Sequence, residues 1–213
     1  LHTGHENEVQ EIVGALANRD LSVLNEPKKL MLFMRFFGHQ ISRTKTLKDT
    51  VIAGISRADS KTHENITKGM IECWWFLSYM FGMNIGADLY KTRKIDKHCL
   101  LLNETNTPFI TSDQPIINVH DSLNEREIAA PNDDQCDFYY PISPEVAYMI
   151  NKSDRFQRGI NNVSIDTVNE LNIKVARRAN VSIVSNNKES LESLLNSIGL
   201  HMDTVKHTSR IDL

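Results

Sequence analysis

Apolar residues recur at helical spacing through the first ninety residues of the chain. A short helix is predicted over residues 6–18, and a long one from the start signal Asn25-Glu26-Pro27 to about Ile55. A second long helix is predicted from Thr62 to about Leu89, and its aromatic residues make it apolar nearly all round, which favours burial between layers. Its inward positions are predicted to be Ile66, Met70, Cys73, Leu77 and Met80.

From Lys97 onward the period changes to that of strands, with two further helices. Strands are predicted over residues 97–105, 109–113, 116–119, 138–142, 146–151 and 181–185. Residues 120–134, rich in Asp, Asn and Glu, predict an exposed loop, and Ser164–Arg178 and Lys188–Ile198 predict helices. Helices followed by strands predict the α+β class. We expect one domain over 1–213, in which a long-helix front (1–90) packs on a mostly antiparallel sheet of about five strands within 97–198.

Charge and cysteine content narrow the classes of function. The 213 residues carry a net charge of −3, so binding that is driven mainly by neutralisation of phosphates is not expected. A chain with this net charge can still contain a local basic groove. No apolar run approaches a membrane span. Three widely spaced cysteines predict a reducing, cytoplasmic setting. The chain begins without Met or a signal peptide, which leads us to expect an additional N-terminal segment.

Two polar residues interrupt the apolar stripe of the first long helix. That stripe contains Phe33, Phe37, Leu47 and Val51, and Gln40 and Thr44 fall on it at the same spacing. Gln40, Arg43 and Thr44 are then expected to share one helix flank. Buried polar groups need hydrogen bonds, so this flank is either an internal network or the wall of a pocket for an anionic or polar ligand.

The segment Phe109–Pro115 (FITSDQP) is the most specific stretch of the sequence. A predicted strand runs into Ser112 and Asp113 and is ended by Pro115. A carboxylate at a strand end is suited to bind a metal or to act as a general base, and the alternative is that Asp113 caps the turn. Since the histidines show no ligand spacing, a Mg²⁺ or Mn²⁺ site would depend on carboxylates such as Asp113. Asn169 and Asn172 lie three residues apart on a predicted helix, where they contact either a ligand or the sheet backbone.

Together these stretches resemble the bacterial family named domain of unknown function 4238. The family has a helix with Gln followed by Arg-Thr, a phrase close to FITSDNPV, the phrase PLSP, and a helix with spaced Asn. In the same order, the matching stretches of this sequence are Gln40 with Arg43-Thr44, Phe109–Pro115, Pro141–Pro144 and Asn169–Asn172. Gln114 replaces the usual Asn, and Ile142 the usual Leu. The family's N-terminal HHxVPQ phrase has no counterpart in this sequence. The resemblance carries no activity, but it implies that Gln40, Arg43, Ser112 and Asp113 contribute to one site.

Three hypotheses follow. The first is a hydrolase acting on a phosphorylated or nucleic-acid substrate, in phage defence or as a toxin, with Asp113 binding metal or acting as base and Arg43 stabilising phosphoryl charge. The second is a non-catalytic module that binds a small polar ligand or a protein partner, such as another chain or its own N-terminal segment. Gln40, Thr44, Ser112 and Asn169 are the candidate binding residues in either case. The third is that these polar residues are only scaffold.

Overall fold

The chain divides into two compact units. The computed structural model describes residues 3–56, 63–121, 123 and 132–200. The helical unit comprises residues 1–9 and 26–94, and the sheet unit comprises residues 10–25 and 95–213. The boundary at Lys94 separates the predicted helical part from the predicted sheet part; that the two form a single domain stays a prediction.

The helical unit is built from four helices and the start of a fifth. Helix α1, Thr3–Ala17, begins in this unit and ends in the sheet unit, where a 3-10 turn, Leu21–Asn25, follows it. The other helices are α2 (Pro27–Ser42), α3 (Lys45–Ser56), α4 (His63–Glu72) and α5 (Trp74–Arg93). Each of the two predicted long helices is therefore broken in its interior, the first after Ser42 and the second at Cys73.

Helices α2 and α5 approach each other at three glycines. A Cβ added to Gly38 would lie 2.3 Å from the carbonyl oxygen of Gly82, and one added to Gly86 would lie 2.6 Å from the Cα of Arg35. No side chain larger than hydrogen fits at these positions without displacing backbone. The two helix backbones therefore pack directly against each other.

This packing corrects the predicted inward face of the second long helix. The buried residues of α5 are Ser78, Gly82, Gly86, Leu89 and Arg93. Ile66, Met80 and Cys73 were predicted inward but are exposed, and Trp75 is 77% exposed rather than buried between layers. Periodicity analysis weights large apolar side chains, so it cannot recognise a buried face whose contacts are made by glycine.

The sheet unit has one five-stranded sheet and one two-stranded sheet. In chain order the strands are β1 (Lys97–Asn103), β2 (Thr111–Ser112), β3 (Ile117–Asn118), β4 (Asp137–Pro141), β5 (Val146–Asn151), β6 (Gly159–Val163) and β7 (Ile183–Val184). The larger sheet has the order β3-β4-β5-β1-β6, and only the pairing of β1 with β6 is parallel. The second sheet pairs β2 with β7 antiparallel. The predicted α+β class with a mostly antiparallel five-stranded sheet is confirmed.

Two helices complete the unit and close its core. Helix α6, Ile165–Arg178, begins where predicted, because the Ser164 side chain accepts a hydrogen bond from the backbone N–H of Thr167. Helix α7, Lys188–Leu194, is shorter than predicted and continues as a 3-10 turn. The core joins apolar residues of β1, β4 and β5 to α6 and α7, and includes Tyr139, Met149, Leu171, Val175 and Leu194.

Strand β6 is a strand that the sequence did not predict. Its sequence is Gly-Ile-Asn-Asn-Val, and Ile160 is 55% exposed at the edge of the sheet. An edge strand needs little apolar surface, so its composition is that of a loop. Most of the loop predicted over 120–134 lies outside the described residues. Within the described part of the chain, no helix is both long and apolar enough to cross a membrane.

Candidate functional site

Gln40, Arg43 and Thr44 lie at a junction between helices rather than on one helix flank. Because α2 ends at Ser42, Arg43 is its C-cap and is exposed. The buried Thr44 hydroxyl donates to the carbonyl of Ile41 at 2.8 Å and accepts the N–H of Leu47 at 3.3 Å, which caps the start of α3. Gln40 is half-buried near the end of α2. The prediction that these residues share one helix flank was wrong. The Thr44 side chain starts a new helix at this point, although the spacing of apolar residues continues without interruption.

Asp113 uses both carboxylate oxygens to bind backbone. Its Oδ1 accepts the N–H of Asn180 and its Oδ2 the N–H of Val181, each at 2.8 Å, and its own N–H donates to the carbonyl of Ser182 at 3.2 Å. These partners follow α6 and are 67 and 68 residues away in sequence, so the contact is not the local Asx turn considered from the sequence. Asp113 fastens β2 to the segment that leads into β7.

The residue that follows Asp113 in a tight turn and one of the residues that Asp113 binds each have an unsatisfied donor. The Ser112 hydroxyl donates to the carbonyl of Gln114 at 3.0 Å and accepts its N–H at 3.1 Å. Gln114 is 9% exposed. Among the described residues, its Nε2 and the Nδ2 of Asn180 have no hydrogen-bond partner. Buried polar groups are normally paired with protein or with ordered water, so each of these two amide groups has a donor available to another oxygen atom.

The two asparagines of α6 behave differently. Asn172 is 2% exposed; its Oδ1 accepts the N–H of Ile110 at 3.1 Å, and its Nδ2 donates to the carbonyl of Pro108 at 2.8 Å. It binds the sheet-side backbone, one of the two roles considered from the sequence. Asn169 is exposed on the same helix.

The candidate residues are distributed over both units. Gln40, Arg43 and Thr44 belong to the helical unit, whereas Ser112, Asp113 and Asn169 belong to the sheet unit. Ser112 and Asp113 are brought together in one turn. The assembly of all of them into one site stays a prediction. Among the described residues, no group of three or more His, Cys, Asp or Glu is arranged to hold a metal.

A charge network joins α6 to the loop that follows β3. The Lys174 ammonium contacts the carbonyl of Val119 at 2.8 Å, the Oδ1 of Asp121 at 2.7 Å and the Oε1 of Glu170 at 2.7 Å. The Arg155 guanidinium contacts both carboxylate oxygens of Glu170, at 3.0 and 2.5 Å, and the Oδ1 of Asp121 at 3.3 Å. Two cations and two carboxylates thus alternate in one cluster.

The network lowers the pKa of both carboxylates. The hydrogen bond from Lys174, with the nearby positive charges, holds the pKa of Asp121 below its usual range despite partial burial. Burial raises the pKa of Glu170, but hydrogen bonds and charges from Arg155 and Lys174 together outweigh it, and the net shift is downward. Both groups are therefore charged at neutral pH.

A small cavity opens beside this network at the C-terminal end of α6. We call it the α6 pocket; it is lined by Asn118, Val119, His120, Leu123, Lys174, Arg177 and Arg178. Three of these residues, Lys174, Arg177 and Arg178, are basic, and the described lining residues include no carboxylate. All of them belong to the sheet unit. The arrangement can attract and orient an anion.

Sequence reasoning missed this pocket, although a signal was present. Lys174, Arg177 and Arg178 have the i, i+3 and i+4 spacing that places cations on one side of a helix. Basic residues in the last turn of a helix also favour its dipole, so the pattern alone does not indicate a ligand. The proximity of His120 to α6 depends on the fold and has no signal in the sequence.

Comparison with known proteins gives a family without a known activity. The profile of the family described as protein of unknown function, DUF4238, matches residues 4–189. The chain therefore belongs to this family. No curated protein and no solved structure was found to match it.

Proposed function

We propose that this DUF4238 protein is a binding module that recognises a small anionic ligand in the α6 pocket. The observation that carries the proposal is a cavity lined by Lys174, Arg177 and Arg178 and, among the described residues, by no carboxylate. Basic side chains on the wall of a cavity attract an anion that enters it. Guanidinium groups also present planar pairs of donors to oxygen anions.

The charge of the surrounding unit favours a small ligand over a long polyanion. The sheet unit contains twelve Lys and Arg against nineteen Asp and Glu. A long nucleic acid would cross this acidic surface, whereas a small anion meets only the cationic cavity. The nucleic-acid substrate considered from the sequence is for this reason less favoured than a small phosphorylated compound.

The proposal is tested by the melting temperature of the protein in a panel of small anions. We expect phosphate, pyrophosphate or small organic phosphates to raise the melting temperature in a saturable way, also in the presence of EDTA. Arg177→Gln should remove the effect. Lys188→Gln removes one positive charge from an 86% exposed side chain on α7 and serves as the control. A panel without any saturable shift would contradict the proposal.

Hydrolysis of a phosphorylated ligand is the second candidate. It is favoured by the unpaired side-chain amides of Gln114, which follows Asp113, and of Asn180, whose backbone N–H Asp113 binds, because an amide donor can bind a substrate oxygen. Its test is turnover of a generic phosphoester with Mg²⁺ or Mn²⁺, compared between wild type and Gln114→Leu. Turnover that Gln114→Leu abolishes would support hydrolysis, and the absence of turnover would leave the binding module alone.

The setting that we propose is the reducing cytoplasm. Cys73, Cys99 and Cys136 are all free thiols, and burial raises the pKa of Cys99 to about 12. An unreactive buried thiol and an unpaired exposed one are compatible with reducing conditions. A role in phage defence or as a toxin stays a hypothesis from the sequence.

A further inference from the structure

Helix α5 has an exposed stripe on a side that its contact with α2 does not use. We infer that this stripe binds a second copy of the chain, with the two α5 helices antiparallel about a two-fold axis. The inference concerns the helical unit alone and does not depend on the proposed function. We call the surface the α5 stripe; it comprises Glu72, Phe76, Met80, Met83, Ala87 and Lys91.

The start of α5 exposes large apolar side chains, although its sequence is typical of a buried helix. Residues 73–87 contain no charged side chain. A surface helix normally carries charged residues on the side that faces water, and a helix that is apolar nearly all round is normally buried. In this structure Trp75 is 77% exposed, Phe76 49% and Met80 43%. Aromatic residues and methionine are enriched at protein interfaces, so this surface has the composition of a binding site.

The α5 stripe and the glycine contact with α2 lie on different sides of the helix. At about 100° per residue, the six stripe positions fall within about 100° of one another. Their centre is about 130° from that of the buried residues Ser78, Gly82, Gly86, Leu89 and Arg93. Five of the six stripe residues are exposed, and Met83 is half-buried. The stripe is therefore a second face of α5, in addition to the one that packs on α2.

The two ends of the α5 stripe carry opposite charges. Glu72 begins the stripe and Lys91 ends it, and both are exposed. The Cys73 N–H donates to the carbonyl of Gly69, and its carbonyl accepts the N–H of Leu77, each at 3.0 Å, so the helical spacing continues from α4 into α5. In an antiparallel pair of identical helices, the acidic end of one lies beside the basic end of the other. A parallel pair would instead bring like charges together.

The spacing along the α5 stripe is symmetrical about its middle. The steps from Glu72 to Lys91 are four, four, three, four and four residues. The pairs Glu72–Lys91, Phe76–Ala87 and Met80–Met83 therefore share one midpoint in the sequence. A two-fold axis at this midpoint matches an acidic residue with a basic one and the large Phe76 with the small Ala87, while the adaptable methionines meet at the axis.

The charge pattern favours a second copy over a membrane surface. Helices that lie on anionic membranes carry Lys and Arg along their polar face. The basic residues of α5 are confined to its last turn, at Lys91 and Arg93, and Arg93 is buried. Glu72 at the other end of the stripe would be repelled by anionic headgroups. A second copy satisfies both ends at once.

The test is sedimentation equilibrium of the full chain over a micromolar concentration series. One pair of helices makes a small interface, so we expect a reversible monomer–dimer equilibrium with a micromolar Kd. Met80→Lys places a charge in the middle of the stripe and should raise this Kd at least about ten-fold. Thr92→Lys adds the same charge at an exposed position of α5 outside the stripe, and should leave the Kd unchanged.

Exchange of the end charges tests the antiparallel arrangement. Glu72→Lys and Lys91→Glu each place like charges opposite each other at both ends of the interface, so each should raise the Kd about ten-fold at low salt. The double variant Glu72→Lys/Lys91→Glu should dimerise as wild type does. An equimolar mixture of the two single variants should form heterodimers, because both ends are then matched. All of these substitutions change exposed residues, and unchanged melting temperatures serve as the control for folding.

The possible results separate the second copy from other occupants of the stripe. A monomer at every concentration would overturn the inference, and so would a dimer that Met80→Lys does not weaken. Single charge variants that the double variant does not rescue would overturn the antiparallel arrangement. A monomer that binds vesicles of phosphatidylserine and phosphatidylcholine through the same residues would assign the stripe to a membrane surface instead. The anion panel concerns the sheet unit, so its outcome is independent of these results.

Discussion

Two polar clusters of the sheet unit make different use of charge. At the end of β2, the Asp113 carboxylate is fully engaged by the backbone N–H groups of Asn180 and Val181. At the end of α6, Arg177 and Arg178 line a cavity with Lys174. The first arrangement satisfies a charge with backbone N–H groups, and the second places three basic side chains on the wall of a cavity. The partners of a polar side chain therefore indicate its role better than its place in a specific stretch of sequence.

Of the substitutions that test this comparison, we expect Asp113→Ala to have the largest effect on stability. Asp113→Ala removes two hydrogen bonds from backbone N–H groups to a charged acceptor, and we expect the free energy of unfolding to fall by about 3 kcal/mol. Chemical denaturation of the variant against Asp134→Ala, an exposed acidic residue of the same unit, provides the measurement. A loss below about 0.5 kcal/mol would mean that Asp113 is not structural.

Asn172 and Asn169 allow a comparison of a buried and an exposed asparagine within one helix. Asn172→Ala leaves the N–H of Ile110 and the carbonyl of Pro108 without their partner, so we expect a loss of about 2 kcal/mol in unfolding free energy. Asn169→Ala should change stability by less than about 0.5 kcal/mol, since the residue is exposed. Equal losses in urea denaturation would contradict this division.

Lys174 both binds groups of the fold and lines the α6 pocket. We expect its removal to lower the free energy of unfolding by less than the removal of Asp113 or Asn172. Lys174→Met keeps most of the apolar stem but loses three contacts, two of them to partly exposed carboxylates. The loss of stability should be about 1 kcal/mol, because solvent screens exposed ion pairs. Phosphate binding should fall in the same variant. Unchanged stability together with unchanged phosphate binding would contradict both roles of Lys174.

The smallest expected effect is a dependence on pH. The folded state lowers the pKa of Asp121 and Glu170, so their ionisation stabilises the fold above their usual values of 3.8 and 4.5. That stabilisation is lost as the pH falls through the lowered values in the folded state. The stability difference between wild type and Glu170→Gln should therefore shrink between about pH 6 and pH 3. A difference that grows on acidification would contradict the network.

The sequence predicted those parts of the fold in which apolar spacing decides the structure. β1, β5 and α6 appear within two residues of their predicted positions, because their buried faces consist of large apolar side chains. The inward face of α5 was wrong, because glycines make its contact with α2. The break after Ser42 was missed, because its cause is the side-chain cap formed by Thr44.

The candidate site was less accessible to sequence reasoning than the fold. Asp113 was selected from the sequence, yet its partners follow it by 67 and 68 residues, and no local pattern reveals them. The α6 pocket combines a loop after β3 with the last turns of α6, which only the tertiary structure places side by side. Spacing within one helix indicated three cations on one side but not the cavity that they surround.

The most direct test of the central claim measures unfolding free energy for wild type, Asp113→Ala and Arg177→Gln, each with and without saturating inorganic phosphate. The account predicts that Asp113→Ala lowers stability but keeps the phosphate-induced increase. Arg177→Gln should show no phosphate-induced increase. The reverse result, in which Asp113→Ala abolishes the phosphate effect and Arg177→Gln preserves it, would contradict the account.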